Sequence, residues 1–217
     1  MGMVHHHASL LVLQGENILN FLDGLTTNAV AGSCTTIFAE RTAKIIDVCE
    51  VVVLGERVVL VGYGPHQTQL VQHLQHHLLG RNITVTDVSH LNRVYIGTGD
   101  ETIPENATVH SSFFGVMYIV PNATAYTPTW TNEDWTEHRI ENILPFYGHE
   151  ISPQHHPLAC GLAELVHPNK GCYIGQEVLT RMRSRGKQGY RLVVMDNPAQ
   201  QATTVGRAQS LCIVRDQ

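Results

Sequence analysis

The sequence has no Cys-X-X-Cys pair, and its five cysteines, Cys34, Cys49, Cys160, Cys172 and Cys212, follow no regular spacing. An odd, scattered set argues against a disulfide framework and for reduced thiols. No apolar run approaches the roughly 20 residues needed to cross a bilayer, and Ala8 to Leu13 is short for a signal-peptide core. A cytoplasmic chain with no membrane partner is expected. Charge is sparse, at 15% of residues, and a formal net charge of -5 gives no reason to expect direct nucleic-acid binding. A dinucleotide fingerprint is missing too. Gly62-Tyr-Gly64 lacks a third glycine and runs into Pro65, which suits a turn before a helix. What remains is ordinary for a globular protein: 217 residues, 43% of them hydrophobic, enough for one substantial core or two small ones.

Histidine is the abundant residue, with 14 copies. His5-His6-His7 reads as a loose N-terminal feature. His73 and His77 share one face of a helical segment that also holds His76, and solvated helix-face histidines explain them without a metal, which would need further converging ligands. No metal is expected.

Hydrophobic periodicity sets out the elements. Ile18, Leu19, Leu22 and Leu25 recur at helical spacing over Gly15 to Gly24, with Gly24 placed to end the helix in a left-handed cap. Asp47 to Leu54 and Arg57 to Val61 are valine-rich and separated by Gly55-Glu56, a Gly-first pair suited to a type II′ hairpin. A helix from Gln67 to Leu79 presents Leu70, Val71, Leu74 and Leu78 and stops at Gly80, and a strand follows over Ile83 to Val88. Further strands are expected at Arg93 to Gly97 and Phe113 to Val120. Asn132, followed by Glu133 and Asp134, marks a helix start. Leu144 to Pro157 reads as a loop, Gly175 to Arg185 as a helix, and the residues from Tyr190 on as β. This irregular alternation without βαβ units points to the α+β class, with mixed or antiparallel sheets and packed helices.

One segment carries chemistry. Six of the fourteen Lys and Arg residues lie between Lys170 and Arg191, where Glu177 is the single acid. Gly175 stands where a loop turns into a helix, so free backbone N–H groups face back toward Cys172 and Tyr173. With Lys170 two residues before it, an exposed Cys172 would be favoured as thiolate, which makes it the candidate reactive residue. Arg181 and Arg185 share a helix face that suits carboxylates or phosphates, or simply complements the helix dipole, while Arg183 points elsewhere. Gln176 and Glu177 are first-turn residues with either a binding or a capping role.

Lys170-Gly-Cys-Tyr-Ile-Gly-Gln-Glu177, followed by Arg181 and Arg185-Gly186, resembles the signature of YgfZ-type folate-binding proteins, relatives of the glycine cleavage T protein (aminomethyltransferase). The resemblance extends to Arg139-Ile-Glu141, Pro145, Gly148-His-Glu150 and Gly161-Leu162, and to Gly15 through Asn28. It implies sheets around a central folate-type cavity, with a T-protein-like region over 1–189 and a shortened C-terminal barrel segment over 190–217. It also implies tetrahydrofolate as cofactor, iron-sulfur client or assembly proteins as partners, and a role in iron-sulfur cluster assembly or maintenance with effects on tRNA modification. Cys172 and Lys170 would carry the chemistry. Glu141 would bind the pterin, with Arg139, Tyr173, Gln176, Arg181 and Arg185 completing the folate site. The alternatives are a folate-dependent aminomethyl or one-carbon transferase, and an interaction module without ligand. The T protein's aspartate region corresponds here to Leu60 through Gln67, which contains no aspartate and so weighs against methylene transfer.

Overall fold

A computed structural model describes residues 2–186 and 188–216. It has three antiparallel sheets and few helices. The first strands, β1 (Met3–His6) and β2 (Ala8–Gly15), lead into the helix α1 (Ile18–Asp23), after which come β3 (Cys34–Ala39), β4 (Ile45–Leu54) and β5 (Arg57–Tyr63). The helix α2 (Gln67–Leu78) precedes β6 (Ile83–Asp87), β7 (Asn92–Gly97), β8 (Thr108–Ser112) and β9 (Gly115–Pro121). Two more helices, α3 (Asn132–Glu141) and α4 (Gln176–Ser184), lead to β10 (Tyr190–Asp196), β11 (Ala202–Val205) and β12 (Gln209–Arg215). Strand orders are β3-β4-β5-β2-β6, β1-β7-β9-β8 and β10-β12-β11.

The hairpin expected from its valines forms: Leu54 pairs with Arg57, and Gly55 alone of the two turn residues has positive φ, at 62°, as a II′ turn requires. Ala8 to Leu13 makes up most of β2, which lies between β5 and β6. The helix expected at Asn132 begins there because Thr131 caps it, its hydroxyl accepting from the Asp134 N–H while the Asp134 carboxylate accepts from the Thr131 N–H.

The N-terminal histidines are not loose. β1 pairs with β7, and His6 is buried against Tyr63, Phe146 and Tyr147, where desolvation pushes its pKa down to about 3. His73 is likewise more than a solvated face residue. It meets Phe38 edge-on, its Nε2 has no partner, and burial lowers its pKa to about 4.

The five-stranded and four-stranded sheets face each other across side chains. Leu10, Val48, Val61, Val94, Ile96 and Met117 from both sheets form one buried cluster with Trp135 and Tyr147. The C-terminal sheet is fastened by a buried ion pair. Arg139 of α3 donates to Glu150 at 3.0 Å and to the Thr204 hydroxyl at 3.0 Å, and Glu150 accepts from Thr203 and Thr204. Among the described residues, no helix is long and apolar enough to cross a membrane.

Candidate functional site

The loop before α4 is held at three points. The Lys170 ammonium lies 2.7 Å from the Asp23 carbonyl, 2.9 Å from that of Thr26, 2.7 Å from that of Asn28 and 2.9 Å from the Asp23 carboxylate. Its side chain is 3% exposed. An ammonium has three protons, so four close oxygens use all of them. Burial lowers the Lys170 pKa against the opposing pull of Asp23. Burial also works to raise the Asp23 carboxyl, but the Val30 N–H and Lys170 hold it below its ordinary range. The sequence places this charge beside the Cys172 sulfur; the structure points it at the last residue of α1 and the turn that follows.

Tyr173 is the second anchor. Lys170 Nζ sits 5.4 Å from the centre of its ring, and the ring packs with Ala43, Leu158, Val166 and Leu179. Gly175 is the third. Its φ is +83°, and a Cβ there would lie 2.6 Å from the Glu40 carbonyl oxygen, so only glycine lets the loop close onto the Glu40–Ala43 turn. Between these anchors Cys172 is exposed, the one exposed thiol of the five. Burial pushes Cys34 up to about 11 and Cys160 up to about 12, and raises Cys49 and Cys212 as well, so those four are held as thiols.

The basic residues are divided. Arg181 pairs with Glu177 at 2.7 Å on the exposed face of α4, where Gln176 and Arg185 also lie. Arg183 donates to the Ala163 carbonyl. Arg139 is consumed by Glu150 in the interior, whereas Glu141, two residues on, is exposed at the end of α3. Among the described residues, no hydrogen bond or ion pair joins Glu141 to the Cys172 loop or to α4. The structure thus brings together Lys170, Cys172, Tyr173 and Gln176, sets Arg181 and Arg185 along the following helix, and leaves Arg139 and Glu141 on another element.

Two buried carboxylates escaped the sequence reading. Asp47 accepts from the N–H groups of Val48 and Tyr63 and lies 3.1 Å from His66 Nδ1 and 3.6 Å from the Cys49 sulfur. Burial raises its pKa against those donors. A carboxylate therefore does stand against the Leu60–Gln67 stretch, supplied by the neighbouring strand. Glu50 accepts from Thr35 at 2.7 Å and Ser112 at 2.6 Å and lies 2.9 Å from His110 Nε2, tying the two large sheets together. The available signal was two acids inside the apolar run Ile45 to Val53, where a strand buried on both faces must pair any charge.

Several clefts flank α4. One of about 290 Å³ is lined by Tyr173, His167 and Arg183. Another of about 550 Å³ is walled by His155, His156, Met182, Gln188, Tyr190 and Ile213, where α4 meets the C-terminal sheet. Its size and mixed lining suit a small organic molecule.

No protein-family model matches the chain. Over 49 residues it is 49% identical to the aminomethyltransferase of Symbiobacterium thermophilum, and over 48 residues 44% identical to that of Moorella thermoacetica. Each match covers 22% of this chain and only 13% of the relative's length. In fold, the glycine cleavage system aminomethyltransferase T from Bartonella henselae superposes with a TM-score of 0.77 and 14% identity, over 98% of this chain and 78% of that one. The chain is therefore similar in sequence to aminomethyltransferases over about a fifth of its length and shares the aminomethyltransferase fold along nearly all of it.

Proposed function

We propose that the protein is a tetrahydrofolate-binding accessory factor of the YgfZ type, acting in iron-sulfur cluster assembly or maintenance through Cys172. The observation that carries this reading is the loop itself. Lys170, Tyr173 and Gly175 each have a structural duty, and together they hold one exposed thiol in a fixed place. A scaffold of that kind costs conformational freedom and is explained by a use for the thiol. Iron-sulfur clients or assembly proteins would meet Cys172 from solvent. Nucleophile, redox thiol and transient ligand are all open to it.

The 550 Å³ cleft fits folate in chemistry. Met182, Tyr190 and Ile213 offer faces to a flat ring, and Gln154 and Gln188 offer hydrogen bonds to an amide-like edge, while Arg181 and Arg185 line the neighbouring groove on the exposed face of α4, where a glutamate tail leaving the cleft would meet them. Bound tetrahydrofolate would supply a one-carbon carrier. Glu141 remains the position that the resemblance gives to the pterin.

Calorimetric titration with tetrahydrofolate tests the pocket, and complementation of a deletion strain tests the thiol. Cys172→Ala is expected to abolish recovery of iron-sulfur enzyme activity while leaving folate affinity within about twofold. If the alanine variant complements as well as the parent, the thiol's role is wrong. Comparing Tyr190→Ala with Glu141→Gln locates the pterin: the residue in contact should weaken affinity about tenfold or more, the worth of one good polar or stacking contact. Loss in neither variant removes both positions.

Aminomethyl transfer is the second reading, favoured by Asp47 against Leu60–Gln67. The carboxylate is fully buried, and its two backbone donors and His66 occupy it, so it offers no open face to a substrate. We therefore keep the accessory reading first. One-carbon transfer from tetrahydrofolate that is lost in Asp47→Asn would reverse the order.

A further inference from the structure

Among the described residues, the C-terminal sheet ends in an unpaired edge strand. β10 is the outer strand of the order β10-β12-β11, and among the described residues nothing pairs with its other side. Its ladder with β12 runs without a bulge from Tyr190 opposite Arg215 to Asp196 opposite Gln209. The Asp216 N–H bonds the Gly189 carbonyl at one end, and the Asn197 N–H bonds the Ala208 carbonyl at the other. Antiparallel ladders alternate hydrogen-bonded and non-bonded pairs. The bonded positions in β10 are therefore Arg191, Val193 and Met195. The backbone groups of Tyr190, Leu192, Val194 and Asp196 point outward with no partner strand.

Soluble proteins guard such edges with lysine, proline, a bulge or an overlying helix. β10 has none of the first three, its middle is Leu-Val-Val-Met, and Tyr190 and Met195 are 50% and 42% exposed. Its two charges, Arg191 and Asp196, stand toward the ends, and unpaired N–H and C=O groups along the apolar middle recruit a strand.

We infer that a second copy of this chain pairs with β10, joining two three-stranded sheets into one. The edge is self-complementary. With the two-fold axis at Val193, Leu192 faces the partner's Val194, Arg191 faces the partner's Met195, and Tyr190 can donate its hydroxyl to the partner's Asp196. All four outward N–H groups and all four outward carbonyls of each strand then find partners, and no like charges oppose. Sliding two residues in one direction sets Leu192 against the partner's Asp196, an apolar group against a charge. Sliding the other way strands Asp196. The two-fold contact is isologous and closes as a dimer. Because Tyr190 also walls the 550 Å³ cleft, the dimer seam runs beside that cleft.

Sedimentation velocity of the full chain over a concentration series tests this. Reversible dimerisation is expected. Val194→Pro should abolish it, because the lost N–H points outward and leaves the β12 ladder intact. Met195→Lys, which opposes Arg191 twice in the dimer, should weaken it about tenfold, and Met195→Glu should strengthen it by a similar factor. Circular dichroism checks each fold, and the two Met195 variants keep the test decisive should the proline variant unfold. A monomer at every concentration overturns the inference. So does a dimer whose affinity ignores the sign of the charge at 195.

Discussion

Replacing Lys170 by methionine separates a clamp from an activator. The substitution keeps the length of the stem and removes the charge. Three carbonyls then lose their donor, each worth about 1 kcal/mol, and the Asp23 carboxylate loses its cation. Breaking a wholly buried pair costs roughly 3–5 kcal/mol, but Asp23 is 31% exposed and stays hydrated, so its share is small. The sum is about 3 kcal/mol, which for a chain of this size is a fall in Tm of roughly 6–12 °C. Thermal unfolding by circular dichroism measures it, with Lys170→Arg as a second variant. Arginine keeps the charge but presents a wider fork to a site shaped for a point cation, so it should recover only part of the loss. The rate at which Cys172 reacts with a thiol reagent at fixed pH supplies the second readout, and a loosened loop should not slow it. A Tm within about 2 °C of the parent, joined to a slower Cys172, would refute the clamp and restore Lys170 as the sulfur's activator.

Two other outcomes follow from local geometry. Gly175→Ala combines a left-handed φ with a Cβ 2.6 Å from the Glu40 carbonyl oxygen, and should cost at least about 2 kcal/mol in urea unfolding. Gly171→Ala, whose Cβ would meet nothing within 4 Å, should stay within about 0.5 kcal/mol, and equal losses would sink the argument. His6 gives a pH dependence. Its pKa of about 3 in the fold lies below the unfolded value near 6.5, so the unfolded chain binds more protons between those values. Stability must therefore fall as pH drops through that window, by roughly 2 kcal/mol from His6 alone between pH 6.5 and 5. The raised Asp47 carboxyl works in the opposite direction, so the comparison is with His6→Phe, which suits the Tyr63, Phe146 and Tyr147 surroundings. An unchanged slope in that variant would show that His6 is not buried neutral.

The sequence by itself determined what local chemistry determines. A two-residue Gly-first turn between valine runs makes a hairpin, helical spacing makes α1 and α2, although Gly24 caps α1 in the right-handed and not the expected left-handed conformation, and the octapeptide marks the loop before α4. These signals lie within a few residues of one another. Only tertiary structure decided the duties of the side chains. Lys170 finds its oxygens on residues 142 to 147 positions away, so no spacing near Cys172 reveals that its charge is taken. β1 and β8 are too short and polar to announce themselves, and become strands because β7 and β9 offer them edges. Asp47 and Glu50 read as ordinary acids until the sheets close over them and oblige each to find its donors. Arg139 and Glu141 are near neighbours in sequence with opposite fates, because a helix turns one inward to Glu150 and the other to solvent. Cys172 is the candidate thiol from its motif, and the burial of Cys49, Cys160 and Cys212 with the half-burial of Cys34 is what leaves it the one exposed thiol.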